Sequence, residues 1–399
     1  MAGTFNWADR LPVAPLKIAA LNGITDFASQ VDKHILQYRK EDLTADSTNI
    51  HFQGFLEDSY LVDIDCPRYG TGEGKGIIID SVRGSDLYIM CDVTNNSIEY
   101  SVNGYLNHMS PDDHYQDLKR IIGSAVAVAR RVTVIIPFLY ESRQHKRKNR
   151  ESLDCANCLE ELYAMGVDNI ITFDAHDPRV QNAIPLGGFE NILPTYQFVK
   201  NIFNKIPDVQ IDKEHIMCVS PDEGAMDRAI YLANNLGVDV GMFYKRRDYS
   251  VVVDGRNPIV AHEFLGSGVE GKTLIVVDDM ISSGESMLDT ARELKELGAK
   301  NVIVCCTFGL FTNGLAKFDE AYEKGHFDYI CTTNANYHTP ELYTREWYIE
   351  ADITKYLAAM INSLNFDANM PDELTPNAKI QKYLSKRKND GYEYFESIV

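Results

Sequence analysis

The sequence predicts an α/β fold, with mostly parallel sheets flanked by helices and two domains in tandem. Three observations point there. Short β-branched apolar runs alternate with segments whose apolar residues recur every three or four positions. Polar clusters follow these runs directly, as ligand loops do at the C-terminal ends of parallel strands. The alternation occurs twice along 399 residues, a length that accommodates two ordinary domains.

Taken in order, LKIAALNG (16–23) reads as a strand and turn, and DFASQVDKHILQYRK (26–40) as a helix. Residues 41–60 are polar and loop-like. SYLVDIDC (59–66), GKGIIIDSV (74–82) and DLYIMCDV (86–93) read as strands, and a helix is expected from His114 to Ala129. Then come strand VTVIIPF (132–138), a basic loop, a helix over 153–165 and strand NIITFDAH (169–176). A helix near 195–205 precedes strand HIMCVSPD (215–222), a helix over 224–236 and strand VDVGMFY (238–244). After a connection rich in Asp, Gly and Val come strand 273–277, helix 287–298 and strand NVIVCCTF (301–308). The Pro/Gly-bearing stretch IPLGGFENILP puts the domain break near residue 190. The expected division is 1–190, with 350–365 packing back on it, then 191–349, then an appended tail, 366–399. In that tail Thr375 and Pro376 suit an N-cap and first helical position ahead of NAKIQKYLSKRK, with Ile380, Tyr383 and Leu384 on one side.

Composition narrows the function. Hydrophobic residues make up 45% and charged residues 24%, ordinary for a soluble globular chain. No apolar run reaches the length of a membrane span, and the N-terminus lacks the basic and apolar regions of a signal peptide. The protein is read as cytoplasmic. A net charge of −19 argues against nucleic-acid or membrane binding by the surface as a whole. Against that background two basic clusters stand out: Arg143, Lys146, Arg147, Lys148 and Arg150, and then Lys245, Arg246 and Arg247. Such runs serve anionic ligands or are solvated loops. The eight cysteines lie largely in apolar runs, as reduced thiols do. Cys155 and Cys158 have CxxC spacing but no second pair, so no metal role is expected of them.

The segment TLIVVDDMISSGESMLDTARELKELGAK (273–300) carries the sharpest chemistry. It reads as a buried strand, an acidic and Ser/Gly turn, and an amphipathic helix. Asp278 and Asp279 are expected where the strand ends. A helix N-terminus presents unpaired N–H groups and the positive end of a dipole, and Ser282, Ser283, Gly284 and Ser286 let a phosphate approach it. Two carboxylates beside that phosphate suit a sugar's vicinal hydroxyls or a divalent cation. Ser286 alone would also serve as a simple N-cap. Other strands end in similar clusters: Asp174, His176 and Asp177; Asp222, Glu223, Gly224 and Ala225; and Lys245 to Arg247. Singly, His176 is a structural histidine, Asp222 an N-cap and Lys245 to Arg247 a solvated turn. Together they supply cation ligands, positive charge and a phosphate cradle, the needs of phosphoryl transfer. No P-loop or protein-kinase motif is present.

These residues resemble the ribose-phosphate diphosphokinase (phosphoribosyl-pyrophosphate synthetase) family over roughly residues 16–365. RYGTGEGKGIIIDSVRGSDLYIM (68–90), VIIPFLYESRQHKRKNRESL, ITFDAHDPRVQN, VSPDEGAMDRA, FYKRR, VVDDMISSGES and TFGLFTNG each resemble a family segment, in the family's order. The resemblance implies two tandem phosphoribosyltransferase-like domains, assembly into a homo-oligomer, and Mg²⁺-dependent transfer of the diphosphoryl group of ATP to ribose 5-phosphate. It implies that Ser282, Ser283, Gly284, Glu285 and Ser286 hold the 5-phosphate and Asp278 and Asp279 the ribose hydroxyls. His176 and Asp222 would bind Mg²⁺, and Glu223, Gly224 and Ala225 would lie along the diphosphate. Arg143 and Gln144, with Tyr69, Thr71 and Glu73 from a neighbouring subunit, would contact ATP. Lys245 and Arg247, with His176, would be catalytic. The chain departs from the family pattern at Tyr69 (Phe), Thr71 (Asp), His145 (Asp), Glu285 (Gly) and Ala225 (Gly). These departures keep two other readings in view: a non-catalytic relative that binds nucleotide or an active subunit, and a base phosphoribosyltransferase.

Overall fold

The computed structural model describes residues 11–45, 54–247 and 259–390. The chain divides into two units. The first takes Met1–Leu193, Asn334–Tyr337 and Asp352–Thr375; the second takes Pro194–Thr333, His338–Ala351 and Pro376–Val399.

The first unit begins with β1 (Leu16–Ala20) and α1 (Thr25–Ala45), followed by the short strands β2 (Leu61–Val62), β3 (Ile64–Asp65) and β4 (Ile77–Ile78). Next come β5 (Asp86–Met90), the hairpin β6 (Glu99–Val102) and β7 (Tyr105–His108), α2 (Pro111–Ala125), β8 (Arg131–Ile135), α3 (Asp154–Ala164), β9 (Asn169–Phe173) and β10 (Gly188–Ile192). The main sheet has the order β10-β9-β8-β5-β1-β2, every pairing parallel. Central β5 is buried along its whole length, which a parallel sheet covered on both faces requires. Helix α2 starts three residues earlier than expected because Ser110 and Asp113 form a capping box ahead of Pro111. The stretch that puts the domain break near residue 190 holds strand β10, whose Gly, Glu and Asn disguise it.

The second unit contains α4 (Thr195–Lys205), β11 (Ile216–Ser220), α5 (Met226–Leu236), β12 (Asp239–Arg247), β13 (Ile259–Leu265) and β14 (Thr273–Ile281). It continues through α6 (Glu285–Glu296), β15 (Asn301–Gly309), α7 (Ala316–Glu323), β16 (Tyr329–Thr333) and β17 (Tyr348–Ala351). Its sheet runs β13-β12-β11-β14-β15-β16-β17, with only β13 antiparallel to its neighbour. One face packs on α4 and α5 through Phe198, Phe203 and Leu232. The other packs Met287, Leu294, Phe318, Phe327 and Trp347.

Two late helices complete the units. Helix α8 (Thr354–Asn365) returns to the first and lies against α1. Arg39, 1% exposed, donates to Asn362 and Asn365, and Asn365 donates onward to Asp86. Helix α9 (Pro376–Asp390) belongs to the second unit. Its Ile380 and Tyr383 sink into the core, and Arg387 donates to the carbonyls of Phe203, Pro207 and Val209 beyond α4. Helix α9 thus packs on the second unit of its own chain. Among the described residues, no helix is long and apolar enough to cross a membrane.

Candidate functional site

The acidic strand of the second unit corrects one expectation. Asp278 and Asp279 lie within β14, not after it, because β15 pairs with β14 as far as Ile281↔Gly309. Neighbouring side chains in a strand leave on opposite faces, so the two carboxylates are in unlike surroundings. Asp279 is 3% exposed, whereas Asp278 is part-buried and accepts the Asp279 N–H at 2.9 Å. Burial raises the Asp278 carboxyl well above the usual carboxylate range, and the like charges of Asp279 and Asp222 push it the same way.

Beyond Ile281 the turn hangs on Gly284, which caps α6 with φ +83°. A Cβ there would sit 2.1 Å from Phe318 Cζ. Backbone conformation and packing both demand glycine, which brings the chain close in under α7. Gly284, not Ser286, is the cap. Glu285 and Ser286 open the helix and are exposed, with Ser282 and Ser283 half-buried before them. Glu285 pairs with Lys317 of α7, whose ammonium holds its carboxyl below the usual range. Its charge is thereby directed to the α7 side and partly offset.

Strand β11 lies between β12 and β14, so its end shares the C-terminal edge with both. Asp222 accepts the Gly224 N–H at 2.9 Å, so it does act as an N-cap, of the 3₁₀ turn Glu223–Ala225. That turn delays α5 to Met226. Ala225 is fully buried, so its methyl is accommodated. Lys245 and Arg247 occupy the last residues of β12, where Lys245 faces His262 of β13 in register. Their side chains lie outside the described residues, as does the connection 248–258.

In the first unit the turn after β9 carries His176. Asp174 adopts φ +40°, an uncommon conformation for a non-glycine residue. The turn is held from β10: Asp174 N–H donates to Ile192 O and Ala175 N–H to the Asn191 side chain, both at 2.9 Å. Asn191 fixes this turn, and no local pattern singles it out. The loop after β8 brings His145 beside His176, ring centroids 5.2 Å apart, and within 3.5 Å of Asp177. Burial first, then the His176 charge, lowers the His145 pKa. Arg179 holds the Asp177 carboxyl down to about 2. Arg143 is exposed, and Gln144 donates to Ser152 O at 2.6 Å.

Tyr69, Thr71 and Glu73 sit on a separate exposed turn of this unit. Tyr69 N–H donates to Glu73 O at 2.8 Å, and the Thr71 hydroxyl donates to Glu73 at 3.0 Å. Arg68 anchors the turn to α2 through two bonds to Asp117, at 2.6 and 2.7 Å. Cys155 and Cys158 are buried free thiols on α3, pushed up to about 12 by burial.

Among the described residues, no three His, Cys, Asp or Glu side chains form a ready-made cation cage. The donor set around Asp222 and Asp278 nevertheless fits a hard divalent ion. It offers carboxylate oxygens whose mutual repulsion a cation would relieve, and substrate oxygens would complete the shell.

Two mostly parallel sheets in series, the second with a glycine-capped turn after an acidic strand, define a tandem phosphoribosyltransferase-type protein. Residues 16–166 match the N-terminal domain of ribose phosphate pyrophosphokinase, and residues 189–343 match the phosphoribosyl transferase domain. The chain is similar to the ribose-phosphate pyrophosphokinase of Ralstonia nicotianae, at 30% identity over 62% of this chain and 71% of that one. It is similar to that of Thermosipho africanus at 30% identity, over 64% and 73%. A solved phosphoribosylpyrophosphate synthetase from Mycobacterium smegmatis shares the fold, with a TM-score of 0.65 at 22% identity, over 88% of this chain and 98% of that one. The chain belongs to the ribose-phosphate pyrophosphokinase family.

Proposed function

We propose that the protein makes 5-phosphoribosyl 1-diphosphate from ATP and ribose 5-phosphate with Mg²⁺, releasing AMP. The ribose 1-hydroxyl oxygen attacks the β-phosphorus of ATP and gives up its proton to water, the bond from the β-phosphorus to the α,β-bridging oxygen breaks, and AMP leaves with that oxygen. The observation that carries this reading is the turn Ser282–Ser286. Gly284 is locked against Phe318, so the first N–H groups of α6 are fixed in place for the 5-phosphate. Asp278 and Asp279 take the ribose hydroxyls, and the Asp222, Glu223, Gly224 and Ala225 turn follows the diphosphate. Arg143 and Gln144, with Tyr69, Thr71 and Glu73 of a neighbouring copy in a homo-oligomer, take the nucleotide. Lys245 and Arg247 offset charge on the transferring group, since phosphoryl transfer is largely positioning and charge stabilisation. His176 and Asp222 would hold Mg²⁺, which neutralises phosphate charge when bound. The outward pairing of Glu285 with Lys317 removes one motive for a non-catalytic reading. A cytoplasmic location suits these substrates.

The deciding assay is AMP release from ATP in the presence and absence of ribose 5-phosphate. Sugar-dependent AMP with stoichiometric phosphoribosyl diphosphate is expected. Folded protein with Mg²⁺ that gives no AMP above background overturns the reading.

A further inference from the structure

The turn that carries Tyr69, Thr71 and Glu73 has glycine at every second position: Gly70, Gly72 and Gly74. Such a backbone has many conformations to lose on ordering. Tyr69, Thr71 and Glu73 are all exposed, so packing of their own does not fix it. A ligand that met this turn loose would bind more weakly by the cost of ordering it.

The β6–β7 hairpin supplies the missing support. Its tip, Asn103 and Gly104, has φ +49° and +82°, the conformation of a tight type I′ turn, and its strands pair from Glu99↔His108 to Val102↔Tyr105. The tip reaches the glycine turn: Asn103 N–H donates to Gly70 O at 2.8 Å. Val102 lies against Gly72, where a Cβ would stand 3.1 Å from Val102 Cγ2, and Gly72 itself has φ +93°. At the turn's entry the Arg68 guanidinium sits 5.2 Å from the centre of the Tyr100 ring. The Tyr100 hydroxyl donates to Asp113 at 3.1 Å, which ties the hairpin to the cap of α2. Arg68 is bonded to Asp117 of the same helix, so the turn is gripped from two sides while its side chains stay open to solvent.

We propose that the β6–β7 hairpin is a brace that pre-forms the nucleotide-contacting turn, with Tyr100 and Val102 as its positioning residues. The inference rests on the reading of Tyr69, Thr71 and Glu73 as nucleotide contacts given above. The glycines let the backbone fold tightly, and the hairpin removes the freedom they would otherwise bring, so the turn meets ATP already shaped.

Amide hydrogen exchange of the full chain without nucleotide reads the brace, and titration with a non-hydrolysable ATP analogue reads its consequence. In the unaltered protein the Tyr69, Gly72 and Asn103 N–H groups should be protected and open together. Val102→Ala removes both γ-carbons over Gly72. It should speed exchange at Tyr69 and Gly72 at least ~3-fold, leave the α2 amides unchanged and weaken analogue binding by a similar factor. Val102→Ile keeps both γ-carbons and should restore both readings. Unprotected Tyr69 and Gly72 amides in the unaltered protein, or protection that Val102→Ala leaves unchanged, overturns the brace. The first of these needs no variant, so it decides even where a substitution unfolds the hairpin. Tyr69→Ala separates the two readings. If it weakens analogue binding and Val102→Ala does not, the brace has no bearing on nucleotide and the proposal falls; if Tyr69→Ala changes nothing, the nucleotide-contact reading itself fails. AMP release on the same samples tests the diphosphokinase reading, whose failure leaves the exchange rates unchanged.

Discussion

Replacing Gly284 with alanine tests the proposed role of the turn Ser282–Ser286 directly. A non-glycine residue held at φ +83° costs about 1–2 kcal/mol in backbone strain. The added methyl would lie 2.1 Å from Phe318 Cζ, and relieving such overpacking costs about 1–3 kcal/mol. Together Gly284→Ala should destabilise the second unit by ~2–5 kcal/mol and raise KM for ribose 5-phosphate. The chain has two tryptophans, and Trp347 stacks on Phe318 at 6.1 Å. In a Trp7→Phe background its fluorescence during urea unfolding reports on this unit alone. A Phe318→Leu partner separates the two contributions. In that background the penalty should shrink by the overpacking share, about 1–3 kcal/mol, leaving the backbone strain. A cost below about 0.5 kcal/mol, or one that Phe318→Leu does not change, would refute the account of this glycine.

Four further outcomes are expected. Asp278→Asn should raise the urea midpoint of the second unit at pH 7 while lowering kcat/KM by about 10–100-fold, the range of a charged hydrogen bond. The Asp278 pKa is raised in the folded state, so its ionisation penalty sets in as pH rises above the ordinary carboxylate value. The gain from the substitution should accordingly fade as pH drops towards about 4, and a gain that grows on acidification would contradict this sign. Glu285→Thr should change KM for ribose 5-phosphate by less than about threefold, since an exposed ion pair contributes little; a tenfold fall would mean that the carboxylate faces the phosphate. Arg387→Ala should cost ~3–5 kcal/mol by stranding the carbonyls beyond α4, visible as faster proteolytic release of α9. Because burial pushes Cys155, Cys158 and Cys66 up to about 12, mass spectrometry should find these thiols unlabelled by iodoacetamide at pH 8 until denaturant is added.

The α/β class was legible because parallel strands buried on both faces must be apolar, and β5, β11 and β14 announce themselves that way. Polar strand residues defeated the same logic. The GFENI sequence of β10 reads as a loop, and Asp278 and Asp279 made β14 seem to stop early. Those segments are strands because a neighbouring strand is there to bond them, a tertiary fact absent from local propensity. The clusters at strand ends were legible one by one, since chain order alone puts them at the C-terminal edges of the sheets. Pairings across loops were not. The meeting of His145 with His176, the anchoring of Arg68 on Asp117 and the support of the His176 turn by Asn191 all depend on where separate loops come to lie. The docking of α9 was half legible: Ile380 and Tyr383 showed an apolar stripe, but nothing in it named the surface it would cover.

The late return of α8 has a consequence for how the chain matures on the ribosome. Arg39 is synthesised early, yet its partners Asn362 and Asn365 emerge only after the whole of the second sheet. Until then a guanidinium meant for the interior has the Phe55 carbonyl but neither side-chain amide to receive it, and α1 lacks the helix that shields it. The region translated first is thus among the last to be sealed, and a nascent chain released before residue 354 would leave that early half open to chaperones and proteases.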